Sequence, residues 1–275
     1  MTSDAYRTGS ICTALSVLAL VCSLFLLPGP TTAVAQTGDG ARSGSGLSAD
    51  ELLQRAERAL FPDNYFMRSS LTTYRPDRRD TRMVFESYRR RNAGSFIEVQ
   101  EPARSRGMRF LEKDGDLWMF NPRANTRRAI RLSPRDSFQG SAFSNHDVSD
   151  PGYQDDYRVR IVGSETLDHQ SLGSVQTTVL ELSARREQAP YGRIVMWIRS
   201  DDHIPLLLEY YARSGLQFKR MSLDQLDHLG GRLRPRLMRM HSLEQEGFYS
   251  EIEIYELEQR DDLPDRLFSQ ANLTR

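Results

Sequence analysis

The stretch Arg193-Ile194-Val195-Met196-Trp197-Ile198-Arg199 sends Ile194, Met196 and Ile198 to one face and Arg193 and Arg199 to the other. A period of two marks a β-strand that buries one side and wets the other, as antiparallel sheets commonly do. Working outward, the same period recurs at 65–75, 81–91, 95–100, 108–113, 116–121, 126–131, 157–166, 174–185, 205–212, 216–221, 236–245 and 248–258, with turn residues between the runs. In the last of these, Ile252 and Ile254 oppose Glu251 and Glu253. No helical crossover repeats between the runs, so a parallel α/β sheet is not expected. The expectation is a mainly β (α+β) fold: one antiparallel sheet of roughly ten strands, broken near its middle by a loop-rich stretch at 132–156.

Both ends of this region are helical in pattern. Ser48 to Glu51 reads as a capping box that opens a helix with Leu52, Leu53, Ala56, Ala59 and Leu60 on one stripe, and Pro62 stops it. Pro264 to Leu273 reads as a short closing helix, proline near its first turn, with Leu267 and Phe268 available for docking. Glycines at 38, 40, 44 and 46 make 36–46 a flexible leader. Before it, Arg7, the apolar run Ile11 to Leu27, Pro28-Gly29-Pro30 and Ala33-Val34-Ala35 read as an export signal over residues 1–35, cleaved near Ala35. That leaves 47–275 as a single exported domain, placed in the periplasm. The apolar run is slightly short for an uncleaved membrane anchor. Val21, directly before Cys22, is too bulky for a lipid-modified cysteine.

The chain carries 37 basic and 37 acidic residues, and Lys113 and Lys219 are its only lysines. Nothing in that balance predicts a nucleic-acid partner. Cys12 and Cys22 both fall within the signal, so the exported part would hold no disulfide, thiolate metal site or cysteine nucleophile. His146, His169, His203, His228 and His241 never stand at metal-ligand spacing, and neither lysine precedes the Ser or Thr that a P-loop requires. The serine-rich stretch Ser137 to Ser144 lacks the second glycine of a nucleophile elbow. Asp147, Asp150, Asp155 and Asp156 match no calcium loop and read as a solvated segment. No metal, no cofactor and no enzymatic activity are expected.

Two runs are apolar on both faces: Leu117-Trp118-Met119-Phe120, and 191–199, where Val195 and Trp197 add a second apolar side. A strand of that kind must be covered on both faces. Either the helices fill the concave side of the sheet completely, or the filling is incomplete and a greasy cavity remains for an acyl chain. Both demand the same residues. Candidates for the cavity wall are Trp118, Phe120, Phe138, Phe143, Trp197 and Leu52.

The segment from Glu101-Pro102 through Arg106-Gly107, Phe110-Leu111, Gly115-Asp116, Trp118-Met119-Phe120, Pro122, Arg127-Arg128-Ala129-Ile130 and Ser137-Phe138-Gln139-Gly140-Ser141-Ala142-Phe143-Ser144 to Asp147 resembles the outer-membrane lipoprotein-sorting, LolA-like, family. The ending Leu263-Pro264-Asp265-Arg266-Leu267-Phe268 with Leu273 is similar to that family's as well. Arg135-Asp136 stands where the family carries a glycine pair, and Asn121 and Arg123 flank the proline where it prefers apolar neighbours. The resemblance implies a half-open barrel, one curved antiparallel sheet around a hydrophobic cavity with short helices as lid or plug. It implies lipoproteins or lipids as ligands, an RND-type or other inner-membrane exporter and an outer-membrane acceptor as partners, and an arginine tying lid to barrel, for which Arg106 is the candidate.

Three functions follow as expectations. The first is a periplasmic carrier that holds acyl chains of lipoproteins or lipids and moves them toward the outer membrane or an RND-type exporter. The second is a sensing module that detects lipoprotein or lipid and regulates a membrane partner; it would form a stable complex with that partner and hand no ligand on. The third, a lipid hydrolase using a serine in 137–144 with His146, lacks a recognised arrangement of nucleophile, base and orienter.

Overall fold

The computed structural model describes residues 46–124, 128–149 and 152–275. The residues read as an export signal, almost all of those read as a leader, and Asp150 lie outside the described residues. Thirteen strands form one sheet: β1 (Asn64–Tyr74), β2 (Thr81–Arg90), β3 (Gly94–Glu101), β4 (Arg109–Lys113), β5 (Asp116–Phe120), β6 (Ile130–Leu132), β7 (Tyr157–His169), β8 (Gly173–Ala184), β9 (Arg193–Arg199), β10 (Pro205–Tyr211), β11 (Gln217–Leu229), β12 (Arg232–Ser242) and β13 (Tyr249–Gln259). Each periodic run became its own strand, so the expected count of roughly ten was too low.

The order is β6-β5-β4-β3-β2-β1-β13-β12-β11-β10-β9-β8-β7, antiparallel at every pairing. Two meanders are thus joined through their outermost members, β1 and β13, leaving β6 and β7 as open edges. Tight turns carry the meanders. Asp114-Gly115 joins β4 to β5 and Gly230-Gly231 joins β11 to β12, with φ of 56° and 80° and of 57° and 78°. Two successive positive φ values match the twist of a hairpin, and glycine adopts them without a Cβ clash.

The second of these hairpins extends well past the runs read at 216–221 and 236–245. Its inner part, Leu223 to Arg236, holds a glycine pair, Pro235 and many charges, which argue against a strand in sequence. The ladder accommodates them by an interruption: Asp224 pairs with Leu237 and Leu226 with Pro235, while Gln225 between them turns to a φ of 55°.

Helix α1 (Ala49–Leu60) starts with the expected capping box, in which Ser48 Oγ accepts from the Glu51 N–H and the Glu51 carboxylate accepts from the Ser48 N–H. It buries Leu52, Leu53, Ala56 and Leu60. A short helix α2 (Asn145–Ser149) lies in the connection between the edge strands, and α3 (Gln270–Leu273) ends the chain. One apolar cluster joins α1, the connection and residues from both meanders, including Phe110 of β4 and Leu180 of β8, which puts the sheet's inner face around a plug. A second cluster, Phe96, Leu111, Phe120, Leu263, Phe268 and Leu273, lies on the outer face under the C-terminal segment.

Candidate functional site

Beneath the plug remains a cavity of about 50 Å³. Its wall is mostly apolar, with Met67, Phe85, Met221, Met238 and Ile252 from the sheet and Phe143 from the plug. Pockets for drug-sized ligands run to roughly 300 Å³ or more, so in this conformation the plug fills nearly all of the hollow. Three methionines in the wall give it soft, adaptable packing. Leu60 and Phe61, at the end of α1, belong also to the wall of a neighbouring polar cleft of about 760 Å³. That cleft is lined by the end of α1, the β2–β3 and β4–β5 turns, and the segments around Gln154 and Arg186. An apolar cavity and a polar cleft therefore share one wall, and α1 supplies it.

The plug is pinned by polar contacts. From β12, Arg234 reaches the end of α1, its Nη1 donating to the carbonyls of Arg58 at 2.6 Å and Ala59 at 3.0 Å, and its Nε to Leu229 O at 3.1 Å. These are among the last carbonyls of the helix, which lack intrahelical partners, and a cation there also meets the negative end of the helix dipole. Arg234 is only 3% exposed, and burial, with some repulsion from Arg232, lowers its pKa to about 10. It still carries its charge at neutral pH. Midway along α1, Arg55 stands 3.2 Å from His203 Nε2, in the β9–β10 turn. Glu57 Oε1 accepts from the Tyr153 N–H at 2.6 Å and so ties α1 to the connection. The connection is anchored in turn by Ser95 Oγ donating to Ser149 O and by Ser250 Oγ accepting from the Ala142 N–H.

Asp147, on α2, organises the polar part of this region. Its Oδ2 accepts from the Tyr191 hydroxyl at 2.6 Å and from the Ser144 N–H at 2.8 Å, while its own N–H donates to Ser144 Oγ. Its Oδ1 is buried and has no hydrogen-bond partner among the described residues. Tyr153, Tyr191 and Tyr210 surround it, and burial first, with the negative Asp147 nearby, raises all three well above the ordinary phenol value, so they remain protonated donors.

Of the residues singled out in sequence, Phe143 lines the cavity, and Phe138 and Leu52 are packed in the same inner cluster away from its wall. Trp118 and Phe120 point to the outer face: Phe120 is buried in the cluster under the C-terminal segment, and Trp118 packs against that cluster half-buried. The pattern of β5 places Leu117 and Met119 inside instead. Trp197 alternates with the buried Met196 and Ile198, and its indole donates to Glu165, again outside. Trp118, Phe120 and Trp197 lie away from the cavity for one reason: β5 and β9 are each apolar on both faces, and sequence does not say which face meets the plug. Arg106 is exposed in the β3–β4 loop and donates to Gln100 O, so it does not tie the plug. Arg234 does that. Sequence reasoning passed over it because Pro235 and the glycine pair disguised its strand.

The serines of 137–144 bond to backbone groups, Asp147 and Tyr191, and His146 lies 3.6 Å from Asp156. Among the described residues no group of His, Cys, Asp and Glu is arranged to hold a metal ion.

A family profile described as "Uncharacterized protein" matches residues 91–275. No curated protein sequence matches significantly. Among solved structures, a LolA superfamily protein from Nitrosomonas europaea is 26% identical, with a TM-score of 0.73 over 82% of this chain and 100% of its own. A DUF1329 family protein from Desulfovibrio piger aligns at a TM-score of 0.71 and 21% identity, over 82% and 97%. A domain assigned to outer membrane lipoprotein sorting from Vibrio parahaemolyticus aligns at 0.69 and 20%, over 82% and 98%.

Proposed function

This chain belongs to the LolA-like family, and we propose that within it the protein is a periplasmic carrier, without a catalytic step, for the acyl chains of lipids or lipoproteins. The observation that carries the reading is the wall shared by the apolar cavity and the polar cleft, a division that suits a ligand with a hydrocarbon end and a polar end. Exposing an acyl chain to water costs about 0.8 kcal/mol per methylene, so a sixteen-carbon chain faces roughly 12 kcal/mol in an aqueous compartment. A dry surface that opens at a membrane removes most of that barrier.

In the conformation described, α1 lies closed on the inner face of the sheet. Loading requires α1 to withdraw from the inner face, so the chain takes the volume that Leu52, Leu53 and Ala56 now fill. One apolar occupant replaces another, and the net driving force is set largely by the polar ties at Arg234, Arg55 and Glu57. Delivery to the outer membrane or to an RND-type exporter is the onward route we propose. Native mass spectrometry of protein purified gently from its own cells is expected to show a co-purifying acyl lipid. Protein that is reproducibly empty and takes up neither added fatty acid nor a synthetic lipopeptide would end the proposal.

A further inference from the structure

We propose that the small cavity recognises a hydrogen-bond donor carried on the apolar ligand, a hydroxyl or a secondary amide, and so discriminates against bare hydrocarbon. This rests on the carrier reading above and narrows its ligand class.

Buried hydroxyl side chains on the inner face include Ser69 and Thr73 on β1, Ser87 on β2 and Ser250 on β13. Two are satisfied where the plug lies on them: Ser250 Oγ donates to Thr73 Oγ1 at 3.0 Å and accepts from the Ala142 N–H at 3.0 Å. Ser69 at 3% exposure and Ser87 at 8% line the cavity itself. Their strands pair Met67 with Ser87 and Ser69 with Phe85, which makes the two serines diagonal neighbours on one face. Asp147 also lines the cavity, and its Oδ1 is a buried oxygen that has no donor among the described residues. The plug thus satisfies the hydroxyls it covers, while three polar groups converge on the space it leaves empty.

A buried carboxylate oxygen without a donor is expensive, and buried polar groups are almost always paired. A carboxylate oxygen only accepts, so the partner it selects must be an O–H or N–H. The serine hydroxyls fit either role. A space of about 50 Å³ holds such a group with its nearest carbons, and the remaining chain runs into the volume that α1 vacates. The bland occupant is water, which needs two to four polar partners and finds three here.

The test uses matched probes that differ only in the donor: dodecanol against dodecyl methyl ether, and N-methyldodecanamide against N,N-dimethyldodecanamide. Each competes with a fluorescent probe, N-phenylnaphthylamine, for the purified protein. In at least one pair the donor-bearing member is expected to bind about tenfold tighter, the scale of one hydrogen bond to a charged group. A preference in the alcohol pair assigns a hydroxylated chain, and one in the amide pair assigns an N-acyl group. Asp147→Asn keeps an oxygen for Tyr191 and Ser144 but turns an NH₂ toward the cavity, so the preference is expected to vanish or reverse. Ser69→Ala with Ser87→Ala should weaken it about two- to threefold and leave ether binding unchanged. Equal binding within both pairs overturns the inference, leaving the cavity to water and the carrier reading intact. A preference that survives both variants overturns the site. Failure of every probe, with N-phenylnaphthylamine itself unbound, overturns the inference together with the carrier reading.

Discussion

The two faces of this sheet bury apolar clusters of similar chemistry in opposite ways. On the outer face, Phe96, Leu111 and Phe120 meet Leu263, Phe268 and Leu273 of the C-terminal segment, and Arg90 and Arg109 fasten that segment through Leu263 O and Arg275 O. On the inner face the plug leaves a void, a buried carboxylate oxygen with no partner among the described residues and a boundary with a polar cleft. Burial alone does not mark a site. Incomplete satisfaction beneath a separable element does.

The largest expected effects break the comparison most directly. Phe143, 2% exposed on the inner face, and Phe268, 1% exposed on the outer, should each cost about 3–5 kcal/mol when changed to alanine, read from denaturant midpoints. Only Phe143→Ala, which enlarges the cavity, should alter fatty-acid binding. Equal changes in binding for both variants would erase the distinction between the faces.

Arg234→Met tests the latch. It leaves the Arg58 and Ala59 carbonyls to water or to no partner, for a loss of about 1–3 kcal/mol in stability. Because the latch competes with ligand for the position of α1, its removal should raise apparent acyl affinity by up to about tenfold. A fall in affinity would show that Arg234 supports the ligand rather than the closed plug. The matching change at Arg106, whose contact is confined to its own loop, should leave both quantities nearly unchanged.

The second tie is sensitive to pH. Burial and the nearby Arg55 hold the His203 imidazole below its ordinary 6.5, against an opposing pull from Asp202. Only the neutral ring accepts from Arg55 at Nε2. Below pH 6.5 and down to the lower folded value the unfolded chain binds the extra proton, so this contribution is present above 6.5 and is lost as the pH falls. Protection factors in α1, which compare exchange with that of an unstructured chain at the same pH, should fall between about pH 7 and 5, and His203→Gln should remove that part of the pH dependence. An α1 protected equally throughout would remove His203 from the latch.

These tests depend on assignments of unequal legibility. Period-two runs located all thirteen strands, and Ser48 with Glu51 announced α1, because both signals are local. Summing the runs to about ten failed for want of any rule that merges or separates neighbours. What lay beyond sequence is contact across long separations: Arg234 to Arg58, Asp147 to Tyr191, and the C-terminal segment over Phe120. In β5, Leu117-Trp118-Met119-Phe120 offers two equally apolar faces, and no intrinsic property of the side chains says which one meets the plug.

The smallest expected effect uses that ambiguity. Trp118 and Trp197 are the only tryptophans in the chain, and both stand half-buried on the side of the sheet away from the cavity. A ligand entering under α1 should change neither indole's solvent contact, nor the bond from Trp197 to Glu165. Intrinsic tryptophan emission should therefore stay almost unmoved while a competed fluorescent probe reports saturation. If the tryptophans lined the ligand site, displacement of water by hydrocarbon would shift their emission strongly to the blue. A shift that titrates with fatty acid and disappears in Trp118→Phe would move the ligand to the outer face, beneath the C-terminal segment, and would leave the plug as ordinary core.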